Sequence, residues 1–205
     1  MTKYFLDTEF IESGSRYPLD LISIGIVCED GQELYLLNYD CNWDRANDWV
    51  RQNVLNQLPE KPLPFYGGDE NQRQGYWNKD AIADKVAQFC GCTITRKSSP
   101  TPDEIRQGSI FNRTLKRGYS KPEFYGYYSD YDHVVFCQLF GTMLDLPNGF
   151  PMYMKDLKQT IDEVGNPKLP SQSSSKHNAL EDARWIRDSY LWLKAKYNHP
   201  AFNNG

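Results

Sequence analysis

Two carboxylates interrupt the first apolar run of this chain at alternate positions. The segment reads Lys3-Tyr4-Phe5-Leu6-Asp7-Thr8-Glu9-Phe10. A short run of aromatic and aliphatic residues has the pattern of a buried strand, which predicts one over residues 3–10. Side chains two apart in a strand share a face, so Asp7 and Glu9 stand together while Leu6, Thr8 and Phe10 point the other way. Neighbouring carboxylates repel and raise each other's pKa unless a cation lies between them. By itself the pair has two readings, a strand end turning polar as it reaches solvent or one half of a metal site.

The run that follows fixes the fold class. Residues 20–28 form a second apolar stretch. Asp30-Gly31 is a strong short hairpin signal, and residues 33–39 read as a third strand. The opening is therefore an antiparallel meander. Helical spacing then takes over. Asn42 can cap a helix with Ala46, Trp49, Val50 and Val54 on one face, ended by Pro59, Pro62 and Pro64. Residues 65–77 read as a loop with aromatic anchors. A second helix is expected at about 79–90, capped by Asn78, with Ile82, Val86 and Phe89 inward.

Residues 92–122 read as an inserted, mostly exposed excursion. It carries Arg96, Lys97, Arg106, Arg113, Lys116 and Arg117, either on a solvated loop or on a basic arm that touches a polyanion. Residues 124–128 return as a strand, and a helix follows at about 131–141, capped by Ser129 or Asp130. Residues 151–154 read as a short fifth strand. Asp156 caps a helix that stops at Gly165. After a Pro/Ser-rich loop, the last helix covers about 179–197, with Ala183, Ile186, Tyr190 and Leu193 inward. A meander followed by alternating strands and helices indicates one α/β domain over 1–205, built on a mixed five-stranded sheet flanked by helices.

Composition narrows the chemistry. The 205 residues are 40% hydrophobic and 14% aromatic, which excludes a disordered tail. A formal net charge of -4 argues against a non-specific coater of nucleic acid, though a carboxylate metal site is itself negative. Cys28, Cys41, Cys90, Cys92 and Cys137 are odd in number and lack zinc-site spacing, so reduced thiols and a cytoplasmic setting are expected. Neither a secretory segment at the start nor a membrane span is expected, since residues 1–4 lead directly into a strand-like run and no stretch reaches the apolar length of a span.

Three further acidic or basic groups stand out. Asp132 lies in the first turn of the middle helix, on the face of Val135, Phe136 and Leu139 at i+3, i+4 and i+7. Asp130 is the better cap, and His133 turns away as a structural or exposed residue. Asn178-Ala179-Leu180-Glu181 has capping-box spacing, which leaves His177 just outside the last helix and Asp182 one turn inside. A loop histidine beside a fixed aspartate suits a movable general base, and also describes an ordinary surface histidine.

Taken in order, Asp7-x-Glu9, Asp132 and His177-x4-Asp182 resemble the DEDDh exonucleases, the superfamily of RNase T, oligoribonuclease and the proofreading subunit of bacterial DNA polymerase. Asp7-Thr8-Glu9-Phe10-Ile11-Glu12, Leu21-Ile22-Ser23-Ile24-Gly25, Tyr131-Asp132-His133-Val134 and Cys137-Gln138-Leu139-Phe140-Gly141 are similar to the adenylate-specific exoribonuclease AS type, from which the longer 92–122 extension departs. The resemblance implies an RNase H-like exonuclease fold. It also implies two Mg²⁺ or Mn²⁺ ions held by Asp7, Glu9, Asp132 and Asp182, and His177 as general base. The product is a nucleoside 5′-monophosphate cut from the 3′ end of a single-stranded nucleic acid, RNA by preference and adenylate-rich in the narrower family. Phe10 and Ile11 would contact the terminal nucleotide, with a core role for Phe10 as the alternative. Tyr17, Tyr127 and Tyr131 are stacking candidates, and a homodimer occurs among such relatives. The competing readings are a DNA 3′ exonuclease, a nucleic-acid-binding module on a decayed nuclease scaffold, and a metal-stabilised structural domain.

Overall fold

The computed structural model describes residues 1–14, 18–61, 75–102, 104, 110–172 and 177–203. The meander forms as its pattern requires. Strand β1 (Thr2–Ile11) pairs antiparallel with β2 (Asp20–Cys28), and β2 pairs antiparallel with β3 (Glu33–Asn38). At the tip between β2 and β3, Gly31 has a φ of 93°, a left-handed conformation that glycine takes without a Cβ penalty. The Asp30 carboxylate accepts from the Gln32 backbone N–H at 3.0 Å and closes the turn.

Among the described residues the sheet has six strands, one more than the sequence pattern suggests, in the order β4 (Tyr76–Trp77), β3, β2, β1, β7 (Pro122–Gly126) and β8 (Lys155–Asp156). The extra strand is β4 (Tyr76–Trp77), parallel to β3 at the edge. Two residues carry no readable period, so this strand was hidden in the segment expected to be a loop over 65–77. Residues 65–74 of that segment lie outside the described ones. Strand β7 (Pro122–Gly126) runs parallel to β1, and β8 (Lys155–Asp156) parallel to β7. The last strand thus falls just beyond the expected residues 151–154. Pro151 has no N–H to give a ladder, whereas Lys155 and Asp156 register with Tyr125 and Gly126.

The segment at 92–122 also differs from expectation, because it is not simply a loop. Strand β5 (Cys92–Arg96) pairs antiparallel with β6 (Phe111–Leu115) in a two-stranded ribbon. Cys92 and Leu115 root it in the core, and their β-forming neighbours Thr93, Ile94, Thr95 and Thr114 alternate along it. Two of its basic residues meet carboxylates, Arg113 with Asp84 at 2.7 Å and Lys97 with Glu104 at 2.7 Å. Arg106 lies outside the described residues.

The first helical segment breaks into three pieces, the last a 3₁₀ turn over Leu55–Gln57. Asn42 caps only a 3₁₀ turn (Trp43–Arg45), and Asn47 begins helix α1 (Asp48–Asn53) by accepting from the Val50 N–H at 2.8 Å. Two asparagines five apart each offer the backbone a local alternative to one continuous helix. Ala46, Val50 and Val54 face inward against Ile11, Ile22 and Cys41, as expected, but Trp49 turns outward and is 53% exposed.

Two helical layers sandwich the sheet. Helices α2 (Lys79–Phe89) and α3 (Asp130–Phe140) cover the face of Tyr4, Leu6, Ile24 and Ile26. Helix α3 starts at Asp130 itself after Ser129, and no side-chain bond caps it, so Asp130 is not the cap. Helices α4 (Leu157–Glu163) and α5 (Ala179–Lys196) cover the face of Phe5 and Tyr125. Helix α6 (Pro200–Asn203) seats Phe202 on Tyr190, whose ring lies 5.2 Å from Phe5 and 4.9 Å from Tyr125. Alternate residues of β1 therefore enter opposite layers. All five cysteines are buried and free, and no helix among the described residues is long and apolar enough to cross a membrane.

One residue of β2 governs how α5 sits. Gly25 lies opposite Asp7 in the ladder, and a Cβ there would stand 2.3 Å from the carbonyl carbon and oxygen of Ala179. These are backbone atoms, so no side-chain rotation relieves the clash. We expect Gly25→Ala to force the start of α5 off the sheet at a cost of about 1–3 kcal/mol or more. Thermal unfolding should then register a fall of several degrees, at about 2–4 °C per kcal/mol for a chain of this size. An unchanged melting temperature would mean that α5 does not depend on this contact.

Candidate active site

The acidic residues converge at the end of β1 from two directions. Asp7 and Glu9 project from the face that also carries Phe5. Helix α5 brings Asp182 to the same place, because its first turn lies on Gly25 beside Asp7. One carboxylate oxygen from each of Asp7, Glu9 and Asp182 falls within 4.8 Å of the others. All three residues are half-buried. The Asn178 side chain accepts from the N–H groups of Leu180 and Glu181 and so fixes the helix start. The Tyr35 hydroxyl, 3.5 Å from Asn178 Nδ2, ties that cap to β3. Glu181 does not reach back to close a capping box; it pairs with Arg184 at 2.5 Å, and Arg184 in turn holds Glu33 of β3.

Asp132 arrives from the opposite layer. It is 6% exposed in the first turn of α3, with Val135, Phe136 and Leu139 buried beneath it. Its Oδ1 accepts from the Thr8 backbone N–H at 2.9 Å and from the Thr8 hydroxyl at 2.5 Å. Thr8 points away from Asp7 and Glu9 along the strand, toward the α3 layer, and there it clamps the fourth carboxylate. Asp132 thus lies beside the trio of close oxygens without belonging to it. Sequence reasoning missed the role of Thr8. The signal was available, since a strand residue between two site residues faces whichever helix packs on the other side.

A bulge adjoins the pair. Glu9 is opposite Ser23 but Phe10 is opposite Leu21, so Ile22 is the extra residue on β2. Ile11 is 1% exposed and packs with Ile22, Val50 and Val54. Its side chain therefore belongs to the core, which leaves only its backbone free to meet a ligand. Phe10 is half-buried, and its ring meets that of the exposed Tyr131 edge-on at 5.8 Å. Tyr17 lies outside the described residues.

His177 precedes α5 with a φ of 64°, a left-handed conformation rare for a side-chain-bearing residue. Its backbone N–H donates to Asp182 Oδ2 at 3.1 Å, which holds loop and helix together. The Gln172 side-chain amide donates to the other oxygen, Oδ1. Asp7, Asp182, His177 and Gln172 line a cavity of about 380 Å³ with Tyr127, Trp185 and Ile186. His133 is turned aside, and its Nε2 lies 3.2 Å from the Met152 carbonyl.

The four carboxyls share one electrostatic condition. Burial pushes Glu9 up to about 8, and Asp182 and Asp132 add to the rise. Burial raises Asp7 well above the carboxylate range, reinforced by Asp132, Glu9 and Asp182. Asp132 and Asp182 are each lifted to about 6 by burial, against the pull of the Thr8 hydrogen bonds in one case and of His177 in the other. Such a set is satisfied by protons or by cations. Hard divalent cations are the ions that oxygen-only donors suit.

The fold and the family to which the chain belongs make it a nuclease of the exonuclease kind. The chain matches solved exonuclease I over 95% of its length and 41% of that protein's, with a TM-score of 0.54 at 12% identity, so the fold is the RNase H-like one. The chain thus spans less than half of that larger protein. Residues 2–191 match the 3′-5′ exoribonuclease Rv2179c-like domain, and the chain belongs to that family. Two Mycobacterium tuberculosis proteins are similar along nearly the whole chain. They are 3′-5′ exoribonuclease Rv2179c of strain H37Rv and 3′-5′ exoribonuclease MT2234.1 of strain CDC 1551. Each is 32% identical over 182 residues, 89% of this chain and 87% of its own length.

The raised carboxyls make stability depend on pH in a definite sense. Their folded values lie above the roughly 4 of an unfolded carboxyl, so between about pH 4 and 8 the folded state holds extra protons. Their contribution is intact at the acid end of that window and is lost as pH rises through it. In chelator, we expect Asp7→Asn to raise the melting temperature more at pH 8 than at pH 5. Equal shifts at the two pH values would contradict this electrostatic account.

Proposed function

We propose that this chain, taken as one domain over 1–205 with its excursion at 92–122, is a divalent-metal-dependent 3′-5′ exoribonuclease. It removes nucleoside 5′-monophosphates from the 3′ ends of single-stranded RNA, with a preference for adenylate. The observation that carries the reading is the convergence of Asp7, Glu9 and Asp182, with Asp132 beside them, in a chain of this family. The similarity to two M. tuberculosis 3′-5′ exoribonucleases supports RNA over DNA as substrate. That all five positions are filled supports an active enzyme over a decayed binding module. A cytoplasmic enzyme acting as a homodimer fits the free cysteines and the family resemblance.

Asp7, Glu9, Asp132 and Asp182 are the residues that hold two Mg²⁺ or Mn²⁺ ions. The donor set fits such ions, since it offers only hard oxygens and its buried charge is unbalanced without them. When bound, the ions supply an activated attacking water and charge stabilisation at the leaving 3′ oxygen. The protein's own groups do the rest. Thr8 keeps the Asp132 carboxylate in one orientation, and Gly25 lets α5 bring Asp182 up to Asp7. His177 accepts the proton of the attacking water, from a loop position tied to Asp182 through its backbone. The Phe10 ring and the Ile11 backbone contact the terminal nucleotide, with Tyr131 against Phe10 and Tyr127 in the cavity of Asp7 and His177 as further ring surfaces.

Digestion of 5′-labelled poly(A), mixed-sequence RNA and single-stranded DNA with Mg²⁺ or Mn²⁺ should give a shortening ladder on RNA, fastest on poly(A). A ladder on DNA alone would replace the RNA assignment with a DNA exonuclease, and no ladder on any of the three would leave a binding module. Asp7→Ala should lose the ladder while keeping or raising its thermal stability in chelator, because one member of a mutually repelling set is gone. His177→Ala should slow single-turnover hydrolysis by about 10²–10⁴-fold, the usual contribution of a general base. A wild-type single-turnover rate in that variant would remove His177 from the chemistry.

A further inference from the structure

The His177 ring has an unusual support. A histidine base is normally oriented by a hydrogen bond from its second ring nitrogen to a carboxylate or carbonyl. Among the described residues no hydrogen bond reaches either ring nitrogen of His177; its bond to Asp182 is made by the backbone N–H. That bond fixes the main chain and leaves both side-chain torsions free. The ring instead packs edge-on against the indole of Trp49, with centroids 4.8 Å apart and planes at 79°.

Trp49 has no place in the core. Its helix neighbour Val50 is buried with Ile11 and Val54, so at about 100° per residue Trp49 must point outward, and it remains 53% exposed. The short helix that carries it is nonetheless firmly held. Asn47 caps it at Val50, and Arg51 reaches back to the carbonyls of Trp43, Asp44 and Ala46. The result is a large, stiff side chain on a rigid mount, whose one described aromatic neighbour is the histidine beside the carboxylate cluster.

We propose that Trp49 is a positioning residue for the hydrolytic reaction: by packing against the imidazole edge-on, it confines His177 to the orientation from which the ring can take a proton at the Asp7–Glu9–Asp182 cluster. The proposal rests on the assignment of His177 as general base. Proton transfer needs the base within hydrogen-bond reach of the attacking water, so a ring free to rotate out spends much of its time unproductive. The contact is apolar, which lets the ring leave with the product without breaking a hydrogen bond.

Two readouts test it. The first needs no activity. The chain has three histidines, His133, His177 and His199, so its imidazole C–H resonances are few and assignable. In metal-free protein, Trp49→Ala should shift the His177 resonances and leave those of His133 and His199 in place. Unmoved His177 resonances would overturn the proposal whatever the enzyme's activity. The second is a double-mutant cycle under single-turnover conditions with Mg²⁺. Trp49→Ala should lower the rate by about ten- to a hundredfold, the scale of a misplaced catalytic group, with KM little changed, and Trp49→Phe should restore most of it. In the His177→Ala background, Trp49→Ala should cost less than about a further twofold. Equal slowing in both backgrounds, or a rise in KM at constant kcat, would make Trp49 a substrate contact and overturn the proposal. A wild-type rate in His177→Ala would instead overturn the base assignment, and is distinguished by that single variant.

Discussion

The arrangement depends on how closely a helix can approach a strand. At Gly25 the backbone of Ala179 occupies the volume that any side chain would need. Protein interiors are close-packed, so even one methyl group at such a contact moves the elements on both sides. Because Gly25 sits opposite Asp7, this contact also sets the distance between the carboxylates of β1 and α5. The helix is then locked at its start by Asn178 and Tyr35, and on its flank by the Arg184–Glu33 pair. The same helix buries Ile186, Tyr190 and Leu193 against Phe5 and Tyr125. Apolar burial drives the docking, and the missing Cβ decides where along the sheet it stops.

The site formed at that stop is stable only by compensation. Three half-buried carboxyls from two elements share one volume with the buried Asp132 beside them, and burial is the first cause of the raised pKa of each. The fold reduces the strain in part. Thr8 gives Asp132 two hydrogen bonds, and the His177 N–H and Gln172 serve Asp182. Among the described residues Asp7 and Glu9 receive no comparable support, and theirs are the carboxyls raised furthest. Unbalanced charge held in place by packing elsewhere is the usual way in which a fold prepares a site for ions.

Much of this was legible along the chain. The meander, the caps at Asn78, Asp156 and Asn178, and the buried stripe Ala183, Ile186, Tyr190 and Leu193 follow from local period and capping chemistry. The alternation of β1 put Asp7 and Glu9 on one face, and helix phase put Asp132 over Val135, Phe136 and Leu139. Errors arose where pairing is long-range or the element is short. Tyr76–Trp77 is a strand only because β3 lies beside it, and β5 and β6 find each other across an intervening segment. Asn42 and Asn47 both signal a helix start, and the pattern alone did not show that both are used.

The sequence by itself determined which chemical groups are present and in what order. It also determined the face of its own element on which each lies, because periods of 2 and 3.6 are local properties of the backbone. Tertiary structure decided the rest, namely which faces meet and at what distance. The clamp of Thr8 on Asp132, the space that Gly25 yields to Ala179 and the contact of Trp49 with His177 join residues more than a hundred positions apart. No local rule encodes such pairs. They exist because burial of apolar surface closes the layers, and steric fit then selects one register in which the carboxylates share a single volume.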